Sequence, residues 1–159
     1  MTLSGDDRLA LHDLVARYAA LVDARDFTAV GELFTPDAVL RTPAPPSELA
    51  PVNRLSGRTS IITELQRLEG FKATFHGILG VVLDPAGSDA DAATAEADAQ
   101  ARGTVAGVAH HVADTTDGPR DLVWHLRYRD RYQRNGGIWR FAERSITIAT
   151  IETRALKRA

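Results

Sequence analysis

The chain has 159 residues, 44% of them hydrophobic and 25% charged, with a formal net charge of -2. That length suits one domain with a buried core, and the near-neutral balance gives no reason to expect nucleic acid or an anionic membrane as a partner. Without a cysteine there is no disulfide, thiolate metal site or thiol nucleophile, and without a signal-like N-terminus or an apolar run near ~20 residues the expectation is a cytoplasmic protein with no membrane contact.

The first element is a helix from about 5 to 24. Ser4 and Asp7 have capping-box spacing, and Leu11, Leu14, Val15, Tyr18, Leu21 and Val22 recur at helical period. Asp26 caps a second helix through Phe34, with Val30, Leu33 and Phe34 as its buried face, and Pro36 stops it. Residues 38–41 read as a short strand. Residues 42–57 hold four prolines without periodicity and read as an irregular loop over a pocket. A third helix covers 59–68, with Ile61, Ile62, Leu65 and Leu68 buried.

Four strands follow, over 71–83, 92–108, 122–133 and 138–151. Turn signals separate them at Asp84-Pro85-Ala86-Gly87, at 114–119 and at Asn135-Gly136-Gly137. The second strand alternates alanine with polar residues, so its inner face is lined by small side chains. The arginines between Arg127 and Arg144 make a local basic stretch that strand alternation scatters over two faces. The class is α+β, with three N-terminal helices packed on a strongly curved antiparallel sheet and the whole of 1–159 in one domain. A cone of this kind has an open end suited to a small hydrophobic molecule.

Three stretches carry a resemblance to a known family. They are Tyr18 to Asp26 followed by Leu33-Phe34-Thr35-Pro36-Asp37-Ala38; the histidine in Thr74-Phe75-His76; and Tyr128 to Tyr132 with Gly137-Ile138-Trp139-Arg140-Phe141 and Arg144. In these the chain resembles the nuclear transport factor 2-like superfamily, especially its SnoaL-like branch of polyketide cyclases, dehydratases and dehydrochlorinases. The resemblance covers nearly the whole chain and implies the cone-shaped fold. It also implies that Asp23, near the end of the first helix, orients His76 in the first long strand. It matches Tyr18 to a tyrosine on that helix and Arg144 to an arginine in the last strand. The dehydrochlorinase branch places a lysine before the aspartate; Arg17 and Tyr18 stand there here, which disfavours halide elimination.

The residues themselves support roles of this kind. A histidine titrates near neutrality, and a carboxylate at Nδ1 fixes its tautomer for general-base work. Tyr18 and Tyr128 can donate a hydrogen bond to a carbonyl or leaving hydroxyl. Arg144 shares parity with Ala142, Ile146 and Ile148, so it needs a carboxylate: Asp23, Glu32 or an acidic substrate. His125 is a competing base on the more polar parity; with Tyr128 and Phe34 it stands as a candidate substrate contact. His110 and His111 are adjacent near a strand end and point to opposite faces, so they cannot share a metal ion. No metal and no cofactor is expected.

The leading reading is a cofactor-independent, dehydratase-like lyase or cyclase acting on a small hydrophobic ring compound. The alternatives are a non-catalytic ligand-binding or protein-interaction domain, and an isomerase or epoxide hydrolase-like enzyme; the last needs an Asp-Arg-Asp arrangement, with Asp130 and Asp98 as candidates for its second acid. A homo-oligomer, dimer or trimer, is expected through the outer sheet face, with Trp139, Phe141 and the Thr147/Ala149 row meeting a twin.

Overall fold

The computed structural model describes residues 2–86 and 99–157. Helix α1 (Gly5–Asp23) is followed by α2 (Phe27–Glu32), strands β1 (Phe34–Ala44) and β2 (Glu48–Ser56), and helix α3 (Arg58–Leu65), which tightens into a 3-10 turn (Gln66–Gly70). Strands β3 (Ala73–Pro85), β4 (Ala99–Thr115), β5 (Gly118–Asn135) and β6 (Ile138–Ala155) complete the chain. The six strands form one sheet in the order β2-β1-β6-β5-β4-β3. All pairings are antiparallel except β1 with β6, which is parallel. The α+β class stands, with the helices on the inner face of the sheet.

Local signals place the helices. The Ser4 hydroxyl accepts from the Asp7 amide at 3.1 Å, and the Asp7 carboxylate accepts from the Ser4 amide at 3.1 Å. These bonds satisfy two of the open donors at the start of α1. Asp7 also accepts from the Trp139 indole at 2.9 Å and from Arg134 at 2.7 Å, which ties the helix start to the β5–β6 hairpin. Leu11, Leu14, Val15, Tyr18 and Val22 form the buried stripe of α1. The Asp26 carboxylate accepts from the Ala29 amide at 3.0 Å and starts α2.

Residues 42–57 are not an irregular loop. Most of them belong to β1 and β2, which form a hairpin with Thr42 opposite Asn53 and Ala44 opposite Glu48. β1 also begins earlier than expected, at Phe34. The prolines fit because β2 is an edge strand and the ladder is irregular between Thr42 and Ala44, where Pro43 sits. Proline is tolerated at edges and irregularities, where no ladder hydrogen bond is asked of it. The portion of the second long strand expected at 92–98 lies outside the described residues.

Trp139 and Phe141 also depart from expectation. They are 6% and 0% exposed and belong to the core rather than to an outer face. Arg131 pairs with Glu143 and Tyr132 with Phe141, so Ala142 is an extra residue on β6. This bulge resets the alternation, so Trp139 and Phe141 before it and Arg144 after it all face inward. The arginines between Arg127 and Arg144 divide over two faces as expected, with Arg134 reaching Asp7 of α1 and Arg144 buried on the inner side. Arg127, Arg129 and Arg131 alternate with buried Leu126, Tyr128, Asp130 and Tyr132 and share the outer face.

Where the expected alternation of small residues is described it holds, with Ala99 and Ala101 buried, and Val105 and Ala109 continue the inner row of β4. Gly103 and Gly107 occupy the same row, under the rings of β5. A Cβ on Gly103 would stand 2.7 Å from the Tyr132 hydroxyl and 2.8 Å from its ring. Tyr132 cannot withdraw, because it is 1% exposed and its hydroxyl donates to Asp130 at 2.8 Å. Gly103→Ala is therefore expected to cost about 1–3 kcal/mol in urea unfolding. At Gly80 a Cβ meets nothing within 4 Å, so Gly80→Ala should stay within about 0.5 kcal/mol of the parent. Equal losses at the two positions would contradict the packing account.

Candidate active site

A cavity of about 510 Å³ opens between the sheet's inner face, α1, the 3-10 turn and the β1–β2 hairpin. Tyr18 reaches it from α1, and Leu65, Leu68 and Phe71 from around the 3-10 turn. The sheet contributes His76 from β3, Ala109 and His111 from β4, Trp124, Leu126 and Tyr128 from β5, and Ile146 from β6. Thr42, Pro43 and Asn53 of the hairpin form part of the rim. The lining mixes apolar and aromatic side chains with the hydroxyls of Tyr18 and Tyr128, the rings of His76 and His111, and the polar Thr42, Ser47, Asn53, Glu64 and Arg67.

Asp23, the last residue of α1, faces β3. Its Oδ1 lies 2.7 Å from His76 Nδ1 and accepts from the Thr74 hydroxyl at 2.9 Å. Its Oδ2 accepts from the His76 amide at 2.8 Å. Burial raises the Asp23 carboxyl, but the hydrogen bonds from the His76 ring, the His76 amide and Thr74 outweigh it and leave Asp23 below its ordinary value. An ionised Asp23 requires the proton of a neutral His76 ring to sit on Nδ1. The Nε2 lone pair is then free, on a side chain that lines the cavity.

His111 was not singled out as a site residue, yet it lies across the cavity wall from His76. Their rings meet edge to face with centroids 5.8 Å apart. His111 is 1% exposed and packs on Trp124 at 4.2 Å and Phe71 at 4.9 Å. Its Nδ1 lies 3.3 Å from the Leu122 carbonyl. Burial, then the neighbouring His76, pushes His111 down to about 4. It is neutral at pH 7, with Nδ1–H given to the carbonyl and Nε2 left as an acceptor. Its signal in the sequence is parity with Val105 and Ala109, the inner row of β4. His110 points the other way, with Nδ1 2.7 Å from Asp121.

Arg144 is 0% exposed and does not line the cavity. Its carboxylate is neither Asp23 nor Glu32. It is Asp130, its cross-strand neighbour, which accepts from Nε at 2.9 Å and Nη2 at 2.8 Å. The guanidinium also lies against three rings, Tyr18 at 4.3 Å and Tyr128 and Phe141 at 4.2 Å each. Burial disfavours its charge, but Asp130 more than compensates and holds Arg144 above its ordinary value. Burial raises the Tyr18 and Tyr128 hydroxyls, so both stay protonated at neutral pH.

The arrangement thus brings together Asp23, His76, Tyr18 and Tyr128, adds His111, and sets Arg144 in the layer beneath. It does not bring in His125 or Phe34. His125 faces outward, with Nδ1 3.0 Å from the Thr150 hydroxyl, because its parity opposes that of Trp124 and Leu126. Phe34 is 0% exposed in the core, 5.1 Å from the Phe141 ring. Among the described residues, no group of three or more His, Cys, Asp or Glu side chains could hold a metal ion. No helix there is long and apolar enough to cross a membrane.

A fold and cavity of this kind define a class, the α+β proteins of nuclear transport factor 2-like architecture. The sequence matches the SnoaL-like domain over residues 4–145, and the chain belongs to that family. A proposed scytalone dehydratase from Novosphingobium aromaticivorans is 19% identical and superposes with a TM-score of 0.71 over 96% of this chain and 91% of its own. The Kfla4162 protein from Kribbella flavida is 21% identical, with a TM-score of 0.75 over 92% of this chain and 93% of its own. A hexachlorocyclohexane dehydrochlorinase, LinA-type3 from Novosphingobium barchaimii, is 14% identical, with a TM-score of 0.71 over 94% of this chain and 91% of its own. At such identities the likeness is one of fold. No curated protein matches the sequence.

Two stability measurements check this electrostatic picture. Arg144→Met leaves the Asp130 carboxylate buried and unpaired, and is expected to cost about 3–5 kcal/mol in chemical unfolding. A loss below about 1 kcal/mol would mean that the pair is not sealed from water. His111 has a lower pKa folded than unfolded, so the unfolded chain takes up a proton that the folded chain refuses. The resulting stability is present above about 6.5 and is lost as pH falls towards about 4, by up to about 3 kcal/mol. His111→Phe should lose less over that window, and parallel profiles for the two proteins would contradict a buried neutral imidazole.

Proposed function

We propose that the chain is a lyase of dehydratase type acting on a small, neutral, hydrophobic ring compound. His76 is the general base. Its Nε2 removes a proton from a carbon next to a carbonyl, the electron pair passes through the enolate into a new C=C bond, and a β-hydroxyl leaves as water. The proton for that leaving oxygen comes from the imidazolium formed in the first step. Asp23 orients the ring and stabilises the imidazolium. Tyr18 and Tyr128, as protonated hydroxyls, donate to the carbonyl oxygen where negative charge develops. His111 accepts a hydrogen bond from a substrate hydroxyl. Arg144 is a positioning residue that packs against both tyrosine rings.

The observation that carries this reading is the 2.7 Å contact between Asp23 and His76 on the wall of a cavity of about 510 Å³. A cavity of that size is in the range of small-molecule sites. Two of the structural relatives bear the names of elimination enzymes, a scytalone dehydratase and a hexachlorocyclohexane dehydrochlorinase. An epoxide hydrolase-like reading draws no support from Arg144 and Asp130, which bond to each other at 0% side-chain exposure, and Asp98 lies outside the described residues. An anionic substrate is not favoured either, because no unpaired arginine lines the cavity among the described residues.

The test is turnover of a panel of cyclic β-hydroxy ketones, followed by the appearance of the conjugated enone. His76→Gln is expected to lower kcat/KM by about 10²–10⁴-fold, and Asp23→Asn by a comparable or smaller factor. Tyr18→Phe should lower kcat more than it raises KM. Saturable binding of these ketones with no turnover would favour the non-catalytic ligand-binding reading. Full activity in His76→Gln would remove this mechanism altogether.

A further inference from the structure

The sheet's outer face carries a feature that the cavity chemistry does not use. β5 presents Arg127, Arg129 and Arg131 there, and the register sets further arginines beside them. Arg102 of β4 stands directly opposite Arg131, and Arg41 of β1 directly opposite Arg54 of β2. Like charges directly opposed across strands destabilise a sheet unless something lies between them. Glu143 answers part of this, accepting from Arg41 at 2.8 Å and from Arg131 at 2.7 Å, and Asp84 of β3 stands opposite Arg102 on its other side without an ion pair to it among the described residues. The side chains of Arg102 and Arg129 have no ion pair or hydrogen bond among the described residues. Two hollows of about 670 and 690 Å³ run together at this place, sharing Arg41, Arg102, Arg131 and Glu143.

We propose that this arginine groove binds a small soluble molecule bearing two or more linked phosphate groups. Guanidinium forks match phosphate oxygens in pairs, and arginine holds its charge under all ordinary conditions. Neighbours sit about 5 Å apart across strands and about 7 Å along one, so a single phosphate cannot satisfy them all while a linked set can. A second copy laid over the groove about a two-fold axis through it would bring guanidinium towards guanidinium. A long nucleic acid fits poorly with a chain of formal net charge -2.

Titration calorimetry of the full chain with sodium tripolyphosphate at low salt tests this. One tripolyphosphate per chain is expected, with affinity falling as salt rises. The double variant Arg102→Gln/Arg129→Gln should bind about tenfold or more weakly, with its circular dichroism and melting temperature kept. His76→Gln should bind tripolyphosphate like the parent, which separates this groove from the cavity and from the lyase reading. No saturable binding by the intact chain would overturn the proposal. So would equal binding by the double variant, or tighter binding of a random-sequence DNA duplex than of tripolyphosphate under the same conditions.

Discussion

The carboxylate of Asp23 joins the two layers of this protein. It ends α1, where a negative side chain meets the negative end of the helix dipole and is disfavoured by it. What compensates is a set of three donors from one strand: the Thr74 hydroxyl, the His76 amide and the His76 ring. The same contacts hold α1 against β3 and set the tautomer of the imidazole at the cavity wall. Structure and candidate chemistry therefore rest on one side chain that has little freedom to serve only one of them.

Beneath that wall the protein keeps a charge where an apolar group would be the simpler choice. Arg144 and Asp130 form a forked pair at 0% side-chain exposure, and Tyr132 donates to the same carboxylate. A buried pair of this kind is weak as a source of stability but strongly resists losing one partner. Its position suggests what it contributes. The guanidinium lies against the rings of Tyr18 and Tyr128, the two hydroxyl-bearing aromatics that line the cavity. The small inner row of β4 makes room for this aromatic layer, since Gly103 and Gly107 leave no Cβ beneath Tyr132 and Tyr128.

Much of this was legible in the sequence because it is written in local chemistry. The Ser4–Asp7 box, the Asp26 cap, the helical stripe from Leu11 to Val22 and the alternation of alanines in β4 each have a short-range cause. The pairing of Asp23 with His76 came from family resemblance, since nothing local links residues 53 positions apart. What stayed hidden depended on register. The Ala142 bulge decides that Phe141 and Arg144 both face inward, and a strict period of two assigns one of them to the wrong side. Prolines disguised the β1–β2 hairpin because their tolerance depends on β2 being an edge, a property of the whole sheet. The inward facing of His111 depends on the β4 alternation running unbroken from Ala101 past Ala109, a property of the whole strand.

The most direct test of the Asp23–His76 account is the protonation pattern of the His76 ring, read by long-range nitrogen–proton NMR on histidine-labelled protein at mildly alkaline pH. A proton on Nδ1, protected from exchange by Asp23, and an unprotonated Nε2 are expected, with the pattern lost in Asp23→Asn. A ring protonated on Nε2, or one averaging between tautomers like free imidazole, would contradict it.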